Sequence, residues 1–533
     1  SIGVHLLNLL AIPTLVMIYF FRCYKLRTVK DYLLKMALAL LVSLVILGAI
    51  NGVIIPYTVA LGAKFDTFAV NSLGMPVNSG IVIFLVLLFT ALGWLILYSH
   101  KRGKRVLNTI ALCVTVILIG FSSYASVTIR AVANPPMNSN NPSTPHTLLS
   151  LLNRDQYGQR PLLVGPYYSA MPMATVESAY DFDDPDYYRP TGDILTKQAM
   201  WLNPETGKYE AREMFVDYKY PSEANRLFPR MWSHSRREGY ELGWVETVDG
   251  HPTKERIAEG VGRWYEPTAW EDIRYFLGYQ MGDMFWRYFM WNFVGRQDDE
   301  QLTKDELGRY LHGGWLSGID FIDSIFCGPQ DNLPSDMADN RAHNRYLFLP
   351  LLLGLMGLVY QLNRDWRNFF VVLLLFVMMG IALVIYFNTA PDEPRERDYV
   401  YAGAFYAFCI WIGLGVMAVA DLLFGAVALL KSQSSRLLTS ATVLSIVLSL
   451  SVPVVLASEN WDDHDRSGRY MARDIGWNYL VTAPENAIVI NFGDNDTFPL
   501  WYCQEVEGVR PDVRVMNSSY LGGEWYIDEM KLA

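Results

Sequence analysis

The chain has 533 residues, of which 51% are hydrophobic, 14% aromatic and only 18% charged. A soluble chain carries about 25% charged residues; the aromatic content excludes intrinsic disorder, and five cysteines exclude a disulfide-built secreted scaffold. A net charge of −10 argues against a nucleic-acid binder, so an integral membrane protein with substantial parts outside the bilayer is left.

Eight apolar runs approach the ~20 residues needed to cross ~30 Å of hydrocarbon. They cover about residues 3–20, 36–57, 79–98, 106–124, 345–361, 368–387, 402–424 and 437–457. No period-2 alternation runs through them, which predicts helices and not barrel strands. Basic residues follow every second span: Arg22, Lys25, Arg27 and Lys30; Lys101, Arg102, Lys104 and Arg105; Arg364 and Arg367; Lys431 and Arg436. The positive-inside rule puts these four loops in the cytoplasm. Loop 58–78 and loop 388–401 then face the other side. The chain divides into spans over 1–124, an extracytoplasmic insert over 125–344, spans over 345–457 and an extracytoplasmic C-terminal domain over 458–533. It opens at Ser1 without a signal-peptide n-region and closes at Ala533 directly after an ordered pattern, which predicts an internal fragment of a longer protein.

Within the insert, Pro161-Leu-Leu-Val-Gly165 reads as a short strand between turn formers. Asp181-Phe-Asp-Asp-Pro-Asp186 has carboxylates for calcium but lacks the Gly and closing Glu of a helix-loop-helix site, so a solvated acidic turn is the simpler reading. From Trp270 to Arg296 the pattern is helical and aromatic, interrupted by Asp283, Arg287 and Arg296. Aromatic rings favour the headgroup level, which predicts an interfacial helix and a platform for a lipid-linked substrate. A helix packed on the bundle fits the same pattern.

Loop 388–401 concentrates Asp392, Glu393, Arg395, Glu396, Arg397 and Asp398 between two spans. Arg395 and Arg397 could grip a phosphate through their guanidinium forks; an internal network of arginines and carboxylates is the alternative. Directly after the last span come Asp462, Asp463, His464 and Asp465, then Arg466, Arg469 and Arg473. The arginine spacing of three then four predicts one helical stripe near the outer membrane surface, suited to a lipid phosphate or to a salt-bridged face. The four residues before it lack the spacing of a zinc site, and no metal is assigned.

The tail reads as strand, helix, strand: Ala487–Asn491, Leu500–Glu507 and Asp512–Met516. Asp494 and Asp496 lie at the carboxyl end of the first strand, where α/β ligand sites form. Ordinary turn chemistry, with Thr497 as a helix cap, explains them too. Cys327 and Cys503 are the two cysteines expected outside, where a disulfide is conceivable. No Gly-x-Ser-x-Gly, Walker or dinucleotide motif occurs, and Asp421 is the one acid deep in an apolar run.

Several strings resemble hallmarks of a bacterial membrane-protein family. They are Pro394-Arg-Glu-Arg-Asp-Tyr399 with Tyr401-Ala-Gly-Ala-Phe-Tyr406, Phe289-Met-Trp-Asn-Phe293 with Gly295-Arg-Gln297, Trp461-Asp-Asp-His-Asp-Arg466, and Gly493-Asp-Asn-Asp-Thr-Phe-Pro-Leu-Trp501. That family, long filed as a domain of unknown function, is related to the transmembrane protein O-mannosyltransferases of glycosyltransferase family 117 in the GT-C superfamily. The resemblance runs from the second or third span to the C-terminus. It implies a GT-C-like bundle in the cytoplasmic membrane that passes mannose from a polyprenyl-phosphate carrier to Ser or Thr hydroxyls of extracytoplasmic proteins. It needs no certain cofactor beyond that lipid-linked donor.

Inverting transfer requires a base for the acceptor hydroxyl and cations for the departing phosphate. The family's base lies in an Asp-x-Gly-Glu-like string of the first external loop; Asp465-Arg-Ser-Gly468 lacks the following acid, so the base is expected upstream of Ser1. Arg395, Arg397, Arg466, Arg469 and Arg473 are the candidates for the phosphate, with Asp392, Glu393, Asp398, Asp462, Asp463, His464, Asp465, Asp494 and Asp496 as supporting groups. The alternative function is a non-catalytic membrane module that organises cell-envelope or secretion partners. A transporter is disfavoured by the near absence of charges within the spans.

Overall fold

The computed structural model describes residues 6–24, 28–155, 161–170, 194–232, 254–258, 262–389, 395–429 and 435–532. Among them, six helices are long and apolar enough to cross a membrane: Lys30–Leu73, Ser79–Lys101, Arg105–Val132, Trp366–Phe387, Asp398–Ala428 and Ser435–Glu459. The protein is a polytopic helical membrane protein. Two of the expected spans are shorter. Leu7–Cys23, which ends in α1 (Ile12–Cys23), is apolar, and Leu349–Arg364 has 16 residues. A helix of that length covers only roughly 24 Å.

The N-terminal half corrects one expectation. Helix α2 (Val29–Ala49) does not stop near residue 57 but passes through a π-helical turn, Ile50–Ile54, into α3 (Ile55–Leu73). Residues 58–73 are therefore helix, not loop. The π turn precedes Pro56, whose missing N–H and ring disturb a regular α-helix. Gly74, in the left-handed conformation, ends α3. Helices α4 (Ser79–Lys101) and α5 (Arg105–Phe121) follow, the latter prolonged by Ala125–Val132.

Asp66 of α3 is fully buried and accepts from the backbone N–H groups of Asn78, at 3.1 Å, and Gly80, at 2.8 Å, tying α3 to the start of α4. The insert closes over this end. Helix α6 (Pro145–Asn153) packs on α3 behind a Thr144 capping box. An antiparallel hairpin, β1 (Ile194–Asn203) and β2 (Lys208–Tyr218), turns at Gly207. Tyr209 of β2 donates its hydroxyl to Asp66 at 2.8 Å and exchanges backbone hydrogen bonds with the Asn71 amide at 2.7 and 2.9 Å. The short strand expected near 161–165 is Val164–Pro166, paired antiparallel with Asn225–Leu227. The acidic run 181–186 lies outside the described residues.

The aromatic segment comprises α7 (Ala269–Tyr275), a π-helical stretch Phe276–Trp286, and α8 (Arg287–Phe293). It sits in the largest hydrophobic core, with Phe285, Tyr288 and Phe289 buried against Phe376, Tyr401, Phe405 and Phe408. Phe289 meets Phe408 edge to face, with centroids 4.8 Å apart. Most of the rings that suggested a helix lying on the membrane surface are thus enclosed by protein, while Trp270 and Trp286 stay exposed. This core also takes in α9 (Leu349–Arg364), α10 (Trp366–Met379), α11 (Ile381–Phe387) and α12 (Ala402–Leu429). Helix α9 lies directly on α12, where Gly354, Gly357 and Gly415 permit close approach. Asp421 of α12 pairs with Arg364 at 2.9 Å.

Helix α13 (Ser435–Glu459) leads through a single turn, α14 (Trp461–His464), into the tail. There α15 (Met471–Thr482) precedes β3 (Ile488–Asn491), α16 (Asp494–Glu505), β4 (Arg514–Asn517) and α17 (Glu524–Leu532). Strands β3 and β4 pair in parallel, Ile488 opposite Arg514 and Asn491 opposite Asn517, which is the predicted strand-helix-strand unit. Leu480, Leu500, Cys503, Val509, Val513 and Val515 form its core. All five cysteines are free, so Cys327 and Cys503 form no disulfide.

Candidate functional site

Three of the four motif strings converge where the loop before α12 meets the aromatic segment. Arg287, at the start of α8, has no exposed side-chain surface and directs Nη2 and Nη1 to the two oxygens of Glu396, at 2.7 and 3.2 Å. Its remaining donors reach the carbonyls of Asp283, at 2.9 Å, and Gly313, at 2.6 Å. Glu396 also accepts from the Tyr288 hydroxyl and from the Leu302 backbone N–H. Burial pushes the Glu396 carboxyl up, but Arg287 beside it outweighs this and holds it below the ordinary glutamate value. Burial also pushes the Tyr288 phenol well above its usual range, so it stays a proton donor.

This frame fixes Arg397, one of the two candidate arginines of the loop. The backbone N–H of Arg397 donates to the Tyr288 hydroxyl at 3.2 Å. Its side chain borders a cavity of about 30 Å³, together with Met284, Tyr288, Phe387, Thr389 and Tyr401. That volume is of the order of one water molecule. The cavity lies where α11 ends and α12 begins. Arg395 is more exposed and lies over the Tyr399 ring, its Nη2 3.3 Å from the hydroxyl. Asp398 opens a short 3₁₀ turn leading into α12, while Asp392 and Glu393 lie outside the described residues.

The Gly295-Arg-Gln297 string supports the frame from below. A Cβ at Gly295, whose φ is +141°, would lie 2.3 Å from the carbonyl oxygens of Asn344 and Leu316. Arg296 stacks on Trp291 at 4.1 Å, and the Gln297 amide holds Gly314 N and Leu311 O, both at 3.0 Å. Buried Asp298 accepts from Gly313 N at 2.7 Å and lies 3.0 Å from His312 Nδ1. The loop that offers the Gly313 carbonyl to Arg287 is thereby fixed at both ends.

The string after the last span joins the same structure through Asn344, which faces Arg296 across a strand pair. Asn344 Nδ2 donates to Asp463 Oδ2 at 2.8 Å and to Asn460 Oδ1 at 3.2 Å, and Tyr346 donates its hydroxyl to Asn460 at 2.8 Å. His464 hydrogen-bonds the Asn460 carbonyl and Asp463. Asp462 is exposed and accepts only from the Asp463 N–H among the described residues.

The predicted arginine stripe does not form. Asp465 accepts the Ser467 N–H and hydroxyl, at 3.0 and 2.6 Å, and this turn with Gly468 breaks the helix between α14 and α15. Those hydrogen bonds hold the Asp465 carboxyl below its ordinary value. Arg466 and Arg469 therefore lie in a turn, and only Arg473 is helical. Arg466 is exposed, Arg469 donates to the Asp463 carbonyl at 3.1 Å, and Arg473 pairs with Glu507 at 2.9 Å and Asp474 at 3.0 Å. Arg469, Tyr470 and Arg473 line an open groove of about 490 Å³ with Phe498, Pro499, Tyr502 and Glu507. Arg469 and Arg473 thus face α16 of the tail, while Arg395 and Arg397 belong to the bundle.

Helix α16 begins earlier than expected, at Asp494, so Asp494 and Asp496 stand in its first turn. Thr497 is inside the helix and donates to the Gly493 carbonyl at 2.8 Å; it is not the cap. Asp494 accepts from the Tyr520 hydroxyl, and Asp496 is exposed. Among the described residues no three His, Cys, Asp or Glu side chains are grouped to hold a metal ion. Arg287 and Glu396 were not singled out as site residues from the sequence. The available signal was the pair of charges, Asp283 and Arg287, inside an otherwise apolar aromatic helix.

Residues 472–533 match the family model of TMEM260-associated domain 2, and residues 158–277 match a family of unknown function (DUF8416). Among curated proteins, the Protein O-mannosyl-transferase tmem260 of Dictyostelium discoideum is 24% identical over 200 residues. The match takes in 34% of this chain and 23% of that relative. No solved structure matches. In sequence, then, this membrane protein is similar over part of its length to an O-mannosyl-transferase, and its tail to a domain associated with TMEM260.

Proposed function

We propose that the protein is a membrane glycosyltransferase that moves a sugar, mannose, from a polyprenyl-phosphate carrier to Ser or Thr hydroxyls of proteins on the extracytoplasmic side of the cytoplasmic membrane. The observation that carries this reading is the 200-residue similarity to an O-mannosyl-transferase in a chain whose described residues include six helices able to cross a membrane.

The geometry supports the donor end of the reaction. A lipid-linked phosphate would arrive at the ends of membrane helices, and Arg397 lies at such a place, between the end of α11 and the start of α12. Its backbone is held by Tyr288, which is held by Glu396, which is held by Arg287. A cation positioned in advance stabilises the negative charge that develops as the sugar–phosphate bond breaks. The acceptor oxygen then bonds to the anomeric carbon from the opposite face, and its proton passes to a base that no residue of this chain is assigned to supply. Arg473, paired with Glu507 and Asp474, is the weaker candidate.

The test is mannose transfer from a polyprenyl-phosphate donor to a Ser/Thr peptide by the full-length protein in proteoliposomes. Arg397→Ala should lower the rate about 10²-fold or more, with membrane insertion unchanged. Arg397→Lys should recover only part of it, since an ammonium lacks the bidentate fork. Undiminished transfer by a correctly inserted Arg397→Ala protein would overturn the reading.

A further inference from the structure

We infer that the carboxyl end of the tail's parallel strands, around Asn517, Asp494, Asp496 and Phe492, is a binding site for a pyranose sugar, separate from the site of transfer. The first observation is a buried donor without an acceptor. Asn517 ends β4 with no exposed surface, and its Nδ2 has no hydrogen-bond partner among the described residues. Its Oδ1 accepts from Ser519 N at 2.9 Å and from Gly493 N at 3.4 Å, so the carboxamide lies at the turn between β3 and α16. An unmade hydrogen bond on a buried amide is costly, and a ligand oxygen delivered to that turn would remove the cost.

The second observation is the helix end itself. Helix α16 has 12 residues, and no side chain among the described residues caps its first turn. Its leading N–H groups have no partner within the helix. Beside these donors stand two carboxylates. Asp494 receives the Tyr520 hydroxyl, and the exposed Asp496 carboxylate has no hydrogen-bond or ion-pair partner among the described residues.

The mixture selects the ligand class. A phosphate would meet the backbone donors but also two like charges. A metal ion would meet the carboxylates but also the Asn517 N–H donors, which cannot coordinate it. A hydroxyl suits both, because it donates to a carboxylate and accepts from an N–H. Neighbouring hydroxyls on a pyranose ring repeat that pattern. Phe492, in the same turn, is 76% exposed and offers an apolar ring for the C–H face of a sugar. The position is the one where ligands collect in open α/β sheets, outside the carboxyl ends of the strands.

The assignment is independent of the transferase reading, since it requires binding and no transfer. The experiment is saturation-transfer NMR on the full chain in detergent with methyl α-mannopyranoside, and with inorganic phosphate and calcium as competitors. Wild-type protein should pass saturation to the ring protons, unaffected by either competitor. Asp496→Asn and Phe492→Ala alter exposed residues, so the fold is retained, and each should weaken binding at least about tenfold. No transfer to the sugar, equal binding by both variants, or displacement by phosphate or calcium would each overturn the proposal.

Discussion

Glu396 receives both terminal nitrogens of Arg287, from 109 residues away in sequence, and this pair locks the loop before α12 onto the aromatic segment. Arg287 is wholly enclosed, so its charge depends on that carboxylate. Removing one partner of a buried pair costs about 3–5 kcal/mol. Glu396→Ala should therefore lower the thermal midpoint of the detergent-purified chain sharply. Replacing both partners with Met should cost less than the single change, because no orphaned charge remains. A single change milder than the double one would refute the role.

The same pair predicts an acid limit. The folded-state value of Glu396 lies below its ordinary 4.5. The unfolded chain therefore binds the proton more tightly, and the contribution is complete above 4.5 and lost as pH falls through the lowered value. Melting curves of wild type and Glu396→Gln should converge in acid. Parallel curves throughout would exclude this carboxyl as the cause.

Asp272 has the opposite sign. It shares Arg226 with Glu266, and burial pushes it from 3.8 up to about 6 despite the 2.9 Å contact with the guanidinium. Here the folded state binds the proton more tightly. Its contribution is present at low pH and declines as pH rises between 3.8 and about 6. Asp272→Asn should flatten the stability profile across that window, measured by thermal midpoints at a series of pH values. A variant that kept the wild-type slope would show that another group titrates there.

These pairings explain what could be read from the amino acids and what could not. The long apolar runs predicted the membrane helices because hydropathy is a local property. The helical character of residues 58–73 was hidden because Asp66 looks like a loop residue until Tyr209, 143 positions away, meets it. Loop 388–401 was read either as a phosphate grip or as a network that pairs its charges internally; its Glu396 in fact pairs outside the loop, with Arg287, a partner that no periodicity could name. The failed arginine stripe is different. Asp465-Arg-Ser-Gly468 already carried the turn chemistry that separates Arg466 from Arg473, and three-four spacing without helix continuity was overread.

Asn344 tests whether the tail is anchored to the bundle by a few polar contacts. It is buried and bonds Asp463 and Asn460 at the entrance to the tail. Asn344→Ala leaves that partly enclosed carboxylate one donor short, at about 1–3 kcal/mol. The turn at residues 465–470 should then become more open to limited proteolysis, while the bundle melts as before. Unchanged cleavage would mean that the tail is held elsewhere.

Close packing of α9 on α12 rests on Gly357. A Cβ there would lie 1.8 Å from the Trp411 carbonyl oxygen and 2.6 Å from Gly415 N, and backbone atoms cannot swing aside as a side-chain end can. Gly357→Ala must push the two helices apart, losing contacts along both and costing more than the usual ~1–3 kcal/mol of overpacking. Gly413, on the facing helix, has nothing within 4 Å of its added Cβ, so Gly413→Ala should be neutral or gain up to about 1 kcal/mol from helix propensity. Thermal midpoints of the two variants should therefore move in different directions. A Gly357→Ala protein as stable as the Gly413→Ala control would mean that α9 and α12 do not approach through glycine at this position.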